Sequence, residues 1–301
     1  MAYHPGELEV QQRAGVRDRS ERIGKSIAAV MPVAAQEFLR HQPFAVLSSV
    51  DAEGGVGVSV LVGQAGFLHA EDEYTLAIDA APMEHDPLLG NLQSNPSLGL
   101  LAIEFTTRRR MRVNGQGSIG ANNYIKVHTE QVYANCPKYI QARQWEIDEA
   151  TSVVPTVQQS NALNAAQQTW VQQADTFFIG SFHPECGADA SHRGGNPGFV
   201  KVLDEKTLLW PDYIGNNMFN TLGNIAAYRN AGLLFMDFEQ GATLQFTGSA
   251  QIVWDTERME ELPGAQRLVE FSIARAVETR SAQALRWQFS DYSPYNPSQR
   301  S

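Results

Sequence analysis

Short apolar runs broken by turn residues dominate this chain. The runs at 44–49, 56–62, 66–68, 74–78, 98–105 and 111–119 are rich in Val, Leu, Ile and Phe. Their length and composition predict strands. Gly54-Gly55 and Asn114-Gly115 read as turns or bulges. Helical spacing predicts a helix over 32–41, with Pro32 in its first turn and Val33, Phe38 and Leu39 apolar, and another over 86–94. Residues 1–27 read as an irregular or partly helical arm. The Gln-, Asn- and Ala-rich stretch 157–174 predicts a connecting helix. Strands at 199–203 and 207–210 and a helix over 218–227 follow. The tail predicts a packing helix within 256–285, carrying Leu268, Phe271, Ile273 and Val277, and then an extended aromatic segment over 286–297.

The second half repeats the first. Ser59, Gly66, Phe67, Glu73, Thr75 and Leu76 match Ser191, Gly198, Phe199, Glu205, Thr207 and Leu208, each 132 positions later. After one inserted residue, Asp79, Leu89, Gly90, Asn91, Gly99, Leu100, Leu101, Phe105, Gly115 and Ile119 match Asp212, Leu222, Gly223, Asn224, Gly232, Leu233, Leu234, Phe238, Gly248 and Ile252, at an offset of 133. The period is too long for a solenoid unit and predicts one domain in tandem copies. Each copy runs helix, several strands, helix, two long strands. With too few helices for parallel βαβ crossovers, this order predicts a small antiparallel barrel. The expected division is an arm and helix over 1–40, a first barrel over 41–120, a connecting segment over 121–175, a second barrel over 176–255, and a helix with an aromatic tail over 256–301.

The 301 residues are 43% hydrophobic and carry a net charge of −10. That supports sizeable cores and argues against nucleic acid or an anionic membrane as partners. Arg108-Arg109-Arg110 is a local exception, suited to binding one anion or covering a strand edge. The only cysteines, Cys136 and Cys186, make no disulfide framework. With a polar N-terminus and no apolar span, the expectation is a soluble cytoplasmic protein.

Candidate chemistry gathers in 189–225. Ser191-His192-Arg193-Gly194-Gly195 leads into one strand, and Gly215-Asn216-Asn217 opens a helix after another. Helix N-termini offer free N–H groups and the positive end of a dipole, so this arginine and this turn can hold a phosphate. The plainer alternative is a hairpin followed by a capped helix, with Asn216 and Asn217 as capping residues. Asp189, Ser191 and His192 do not suit a hydrolase triad, because neighbours on a strand point to opposite faces. His183, Cys186 and His192 lack a fourth ligand at metal-site spacing, and no metal is expected. Cys136, two residues before Lys138, reads either as a reactive thiol or as a structural cysteine.

The pattern Ser191-His192-Arg193-Gly194-Gly195, Pro197-Gly198-Phe199-Val200, Asp204, Thr207-Leu208, Pro211-Asp212, Gly215-Asn216-Asn217, Asn224-Ile225 and Gly232-Leu233-Leu234-Phe235 resembles the pyridoxamine 5′-phosphate oxidase-like family of flavin-nucleotide-binding split barrels. With Asn135-Cys136-Pro137-Lys138-Tyr139, the chain is similar to two-copy members of an uncharacterised subgroup. The resemblance implies a mainly β (α+β) fold, a tandem pair of six-stranded split β-barrels with connecting and flanking helices. It also implies FMN as cofactor, a site at the seam between barrels, and a homodimer. Carried onto this chain, it gives Ser191, His192, Arg193, Gly194, Asn216, Asn217 and Lys138 as cofactor-binding residues and names no catalytic residue. The chain departs from the oxidases at the second turn, where Asn216-Asn217-Met218 replaces basic residues. Phosphate charge then falls to Arg193, Lys138 or Arg108–Arg110, and backbone N–H groups. Ser59-Val60-Leu61-Val62 stands where the first copy would need Ser191-His192-Arg193-Gly194, which implies one competent site per chain. No Arg-x-His occurs in RWQFSDYSPYNP, so pyridoxamine phosphate is not the implied substrate. The expected function is an FMN flavoprotein oxidising or reducing a small molecule, the alternative being a binding, storage or sensing protein for flavin, haem or F420.

Overall fold

Two sheets with the same strand order account for most of the computed structural model, which describes residues 3–147, 154–280 and 284–298. Parts of the expected arm (1–2), connecting segment (148–153) and tail (281–283, 299–301) lie outside the described residues. The arm holds helices α1 (Pro5–Arg13), α2 (Arg17–Gly24) and α3 (Val33–Arg40). The first copy then runs β1 (Phe44–Val50), β2 (Val56–Val62), β3 (Leu68–Ala70), β4 (Thr75–Ile78), α4 (Leu88–Ser94), β5 (Ser97–Glu104), β6 (Arg109–Ile119) and β7 (Ile125–Asn135). Between the copies lie β8 (Ala142–Ile147), β9 (Thr156–Ser160) and α5 (Ala165–Gln173). The second copy runs β10 (Thr176–His183), β11 (Gly187–Gly194), β12 (Lys201–Asp204), β13 (Thr207–Asp212), α6 (Asn220–Ala227), β14 (Asn230–Met236), β15 (Thr243–Val253), α7 (Thr256–Glu260) and β16 (Arg267–Arg280), and β17 (Leu285–Asp291) closes the chain. The sheets read β2-β1-β5-β6-β7-β4-β3 and β11-β10-β14-β15-β16-β13-β12, all antiparallel, with β9 added beside β16 and a separate β8–β17 ribbon. The tandem pair of antiparallel split barrels expected from the repeat is the architecture found.

Four expectations need correction. The first barrel does not end at 120, because β7 completes it; Ile125, Val127 and Thr129 face inward and Lys126, His128 and Glu130 outward, a period of two. Each sheet therefore carries seven strands on one path, not six. Residues 157–174 do not form one helix: β9 comes first, and α5 starts only after Asn164, whose side chain accepts from Gln167 N in a capping box. The packing helix expected over 256–285 is confined to α7, while 267–280 is the strand β16. There Phe271 and Ile273 enter the second barrel's core, while Leu268 turns to the opposite face, against Leu209 and Leu262. A strand buried on both faces, with a bulge beyond Ile273 where its pairing with β15 shifts, left a spacing that mimicked a helix.

Both barrels have filled interiors, Leu47, Leu76, Leu100 and Val113 in the first and Ile179, Trp210, Leu233 and Phe246 in the second. A third cluster lies between them, joining Phe44, Val46, Leu101 and Phe105 to Phe178, Ala190, Leu234 and Trp287. Strands β1 and β10 are buried along their whole length because one face fills a barrel and the other the seam. The backbones touch there: a Cβ on Gly99 would sit 2.6 Å from Asp189 Cα, and one on Gly232 would sit 2.4 Å from the Val56 carbonyl. Gly99 and Gly232 are a matched pair of the repeat, so the same close approach occurs on both sides of the seam. No helix among the described residues is long and apolar enough to cross a membrane.

Candidate functional site

One end of the seam opens into a cleft between β6, the segment after β7, β11, and the turn that joins β13 to α6. Strand pleat decides which side chains reach it. On β6 the even positions Arg110, Arg112 and Asn114 share a face, opposite Met111 and Val113 in the first barrel's core. On β11 the odd positions Asp189, Ser191 and Arg193 face them, and Ala190 turns into the seam core.

The deeper layer is a charge-balanced network. Arg112 Nη1 donates to both Asp189 carboxylate oxygens at 3.0 Å, and Nη2 donates to Ser191 Oγ at 2.7 Å. Asp189 also accepts from Thr221 Oγ1 at 3.1 Å and Asn114 Nδ2 at 3.2 Å. Buried and hydrogen-bonded on several sides, this ion pair balances its charge within the protein, although the Arg112 Nε–H is buried without a partner.

The outer layer is not balanced. Arg193 Nη1 donates only to neutral oxygens, Ser191 Oγ at 2.9 Å and the His192 carbonyl at 3.2 Å. Arg110 Nη1 meets His192 Nδ1 at 2.8 Å, and Nη2 reaches the Lys138 carbonyl at 3.5 Å. Among the described residues neither guanidinium has a carboxylate within ion-pair distance, and the Nε–H of each is buried without a partner. Burial, with Arg112 and Arg193 nearby, pushes Arg110 down to about 9, and burial also lowers Arg193. Arg110 stays charged at neutral pH. Lys138 stands at the mouth, its Nζ 5.5 Å from the Tyr295 ring. Asp212, the carboxylate of the cleft wall, is paired with Arg267 at 3.4 Å.

The facing wall is backbone. Asn217 and Phe219 both hold φ of +63°, the left-handed region that non-glycine residues rarely enter. Phe219 is the N-cap of α6 but no side chain caps the helix, so its first N–H groups lie uncapped where Asn220, Thr221 and Leu222 line the cleft. Tyr139 and Tyr213 approach at 5.0 Å between ring centroids across the opening. Two guanidiniums without carboxylate partners, an ammonium and a helix start facing one space offer the charge and donors that a multiply charged oxyanion requires.

Of the residues expected from the sequence, Arg193, Gly194, Asn216, Asn217 and Lys138 line this cleft together. Ser191 lies one layer behind, between two arginines. His192 points the other way, into the seam. Burial and the surrounding arginines hold its pKa well below the usual histidine value, and Nδ1 serves as acceptor for Arg110. This opposite orientation disposes of the triad, and Asp189 and Ser191 are already engaged with Arg112. The arginine triplet divides: Arg110 enters the cleft, Arg109 pairs with Glu104, and Arg108 donates to the Ile140 carbonyl and pairs with Asp291. Cys136 lines the cleft and is free, as is Cys186 elsewhere. No group of three or more metal-binding side chains occurs among the described residues. Sequence reasoning missed Arg112 and Tyr213, and it named Asn135 and Tyr139 as part of a motif without assigning them to the site. Alternation along β6 carried the signal for Arg112, since a strand that turns Arg110 to the seam must turn Arg112 there too.

A model of the pyridoxamine 5′-phosphate oxidase family matches the chain twice, over 31–154 and 163–289. Similar solved structures include a putative pyridoxamine 5′-phosphate oxidase from Lactobacillus delbrueckii (15% identity, 39% of this chain and 94% of that one, TM-score 0.32). Two others are HupZ from Group A Streptococcus (10%, 44% and 98%, 0.31) and an FAD binding protein from Mycobacterium smegmatis (17%, 40% and 98%, 0.27). No curated protein matches the sequence.

Proposed function

Since this chain belongs to the pyridoxamine 5′-phosphate oxidase family, we propose that its seam cleft binds the phosphate of a flavin nucleotide, FMN, and that the protein is a flavin-dependent oxidoreductase acting on a small molecule. The observation that carries this reading is the pair of buried guanidiniums, Arg110 and Arg193, that lack any carboxylate partner among the described residues and face a turn of backbone N–H groups. A buried charge needs a counter-charge, and a phosphate monoester brings close to two. The residues fit that group: the Nε–H groups of Arg110 and Arg193 and the Asn135 amide are buried without partners, and Lys138, Asn216 and Asn217 stand beside them. Bound flavin would supply the electron transfer, while the protein supplies position and charge.

One site per chain is part of the proposal. The repeat places Thr243 where the cleft has Arg110, Gln245 for Arg112, Leu61 for Arg193 and Thr279 for Asn135. At that opposite end of the seam Asp86 is half-buried, accepting from Ser59 Oγ at 2.5 Å, Leu88 N at 2.9 Å and Gln245 Nε2 at 3.3 Å. A carboxyl group amid neutral partners repels phosphate, so the ratio of flavin to chain should be one.

Absorbance of the purified protein tests the reading. Flavin bands at one equivalent per chain support it, and a colourless protein that FMN fails to bind sinks it. Bleaching by NAD(P)H and reoxidation by air or another acceptor would separate an oxidoreductase from a flavin store or sensor. A homodimer belongs to the same proposal; sedimentation as a strict monomer would remove the dimer and leave the intrachain site.

A further inference from the structure

Two helices that belong to neither barrel lie behind the backbone wall of the cleft. Helix α1 packs on α6, crossing it at Gly6 and Gly223, and α2 lies beside α1 against the turn before α6. A Cβ on Gly6 would be 2.3 Å from the Gly223 carbonyl, and one on Gly223 would be 2.3 Å from Glu7 Cγ. Tyr3, Tyr133 and Met218 fill the space beside this crossing, and the Tyr3 hydroxyl donates to the Ser20 carbonyl at 2.8 Å.

At this contact the arm grips the cleft turn by its main chain. Ser20 Oγ lies 2.7 Å from the Asn217 carbonyl and 2.9 Å from the Val16 carbonyl of its own helix, its one proton directed to the nearer, and Gln11 Nε2 donates to the Met218 carbonyl at 2.9 Å. Both side chains are fully buried. Arg17 donates to Gln11 Oε1 at 3.0 Å and fixes the orientation of that amide. Glu7 accepts from Asn220 Nδ2 at 2.6 Å, which draws the Asn220 side chain away from the helix start. In a trans peptide the N–H points away from the preceding carbonyl. Holding the Met218 carbonyl on the arm side therefore directs the Phe219 N–H to the other side, where Phe219 lines the cleft. The segment held this way contains the two left-handed residues, Asn217 and Phe219. Such a conformation persists only where its surroundings over-determine it.

We infer that the N-terminal helix pair is a working part of the anion site, with Gln11 and Ser20 as positioning residues that hold the 217–219 turn so that the Phe219 N–H and the start of α6 face the bound phosphate, the Met218 N–H being taken by Asn216 Oδ1 at 3.1 Å. The inference rests on the anion reading of the cleft and deepens it. The arm touches no ligand in this scheme. It sets affinity for the phosphate group alone and leaves recognition of the rest of the ligand to the barrels.

Comparing FMN with riboflavin, the same ring and ribityl chain without the phosphate, tests this on the full chain. Each is titrated against wild type, Ser20→Ala, Ser20→Thr and Gln11→Met, with melting temperatures recorded alongside. Ser20→Ala and Gln11→Met should each weaken FMN about tenfold, the effect of one hydrogen bond to the turn. Riboflavin affinity should stay unchanged, and Ser20→Thr should restore FMN binding. Equal losses for FMN and riboflavin, or no loss for either, overturn the inference. If Gln11→Met does not fold, the two Ser20 variants decide alone. Should wild type bind FMN no better than riboflavin, the flavin-phosphate reading falls by itself, and inorganic phosphate becomes the probe. A drop in its affinity in the two variants then supports the arm's role. No drop overturns that role, and no phosphate binding by wild type overturns both.

Discussion

Arg193→Ala separates what the cleft does for a ligand from what it does for the fold. In the free protein Arg193 is half-buried as a whole residue with its Nε–H buried, has no carboxylate within ion-pair distance, and shares its surroundings with Arg110, Arg112 and the Arg267-paired Asp212. Its removal relieves desolvation and repulsion from Arg110 and Arg112 but gives up attraction to Asp212 and Asp189, so the free variant should melt close to the wild-type temperature. The ligand tells the opposite story. A charge-assisted contact to phosphate contributes on the order of 1.5–3 kcal/mol, or roughly tenfold to a hundredfold in affinity. At FMN a hundred times the wild-type dissociation constant, linkage stabilises wild type by about 2.7 kcal/mol. The same concentration is then only about one to ten times the variant's constant, leaving about 0.4–1.4 kcal/mol. For a chain this long, one kcal/mol moves the melting temperature by about 2–4 °C. Wild type should therefore gain about 5–10 °C from FMN, and the variant about 1–6 °C. Differential scanning fluorimetry with and without FMN reads both quantities. An undiminished FMN shift would show that the phosphate sits elsewhere. A free variant several degrees less stable would make Arg193 a structural residue and refute the argument from its unpaired charge.

Three further outcomes follow from other parts of the structure. Burial raises Glu7 to about 7 and lowers His4 to about 4. Native Glu7 thus holds its proton more tightly than the unfolded chain, and its contribution is complete below about pH 4.5 and lost as pH rises towards 7, about 3 kcal/mol in all. His4 works in the other direction, losing stability as pH falls from about 6.5 to 4. Denaturant melts of Glu7→Gln should lose the decline between pH 4.5 and 7 and keep the acid-side loss, whereas an unchanged profile would mean that Glu7 is not the titrating group. Gly99→Ala drives a methyl into the Asp189 backbone and should cost more than about 2 kcal/mol as overpacking; wild-type stability in urea would mean that the seam is looser than described. The variant Arg110→Met, which removes the first barrel's cation, should weaken FMN about as much as Arg193→Ala, and full binding would leave the site to the second barrel alone.

Much of the architecture was legible because both copies had to solve the same packing problem. Gly99 and Gly232 recur since backbone meets backbone on both sides of the seam, and the unbroken apolar run of β1 reflects a strand covered on two faces. Misreadings came where the period was disguised: β16 buries residues on both faces and bulges beyond Ile273, which spaced them like a helix, and the Asn-rich 3-10 turn before β7 hid a well-alternating strand. At the site, Arg193 and the Gly215-Asn216-Asn217 turn stood out because they lie close in sequence. The choice of Arg110 from Arg108-Arg109-Arg110 needed the strand register, since Arg108 occupies a left-handed turn and Arg109 faces outward. The grip of Gln11 and Ser20 on a turn some two hundred residues away had no local signature at all.

Both walls of the cleft belong to one polypeptide, and this makes its occupancy indifferent to dilution. In a seam between separate chains, the wall bearing Arg110 would leave the wall bearing Arg193 whenever protein fell below the dimer's dissociation constant. The ligand would then bind with lower apparent affinity in dilute samples. Here the two walls are joined through residues 136–175, a tether that keeps the first barrel at a high effective concentration about the second. A binding constant measured at nanomolar chain should match one measured at a thousand times that concentration, and a protein present in few copies would keep its site intact.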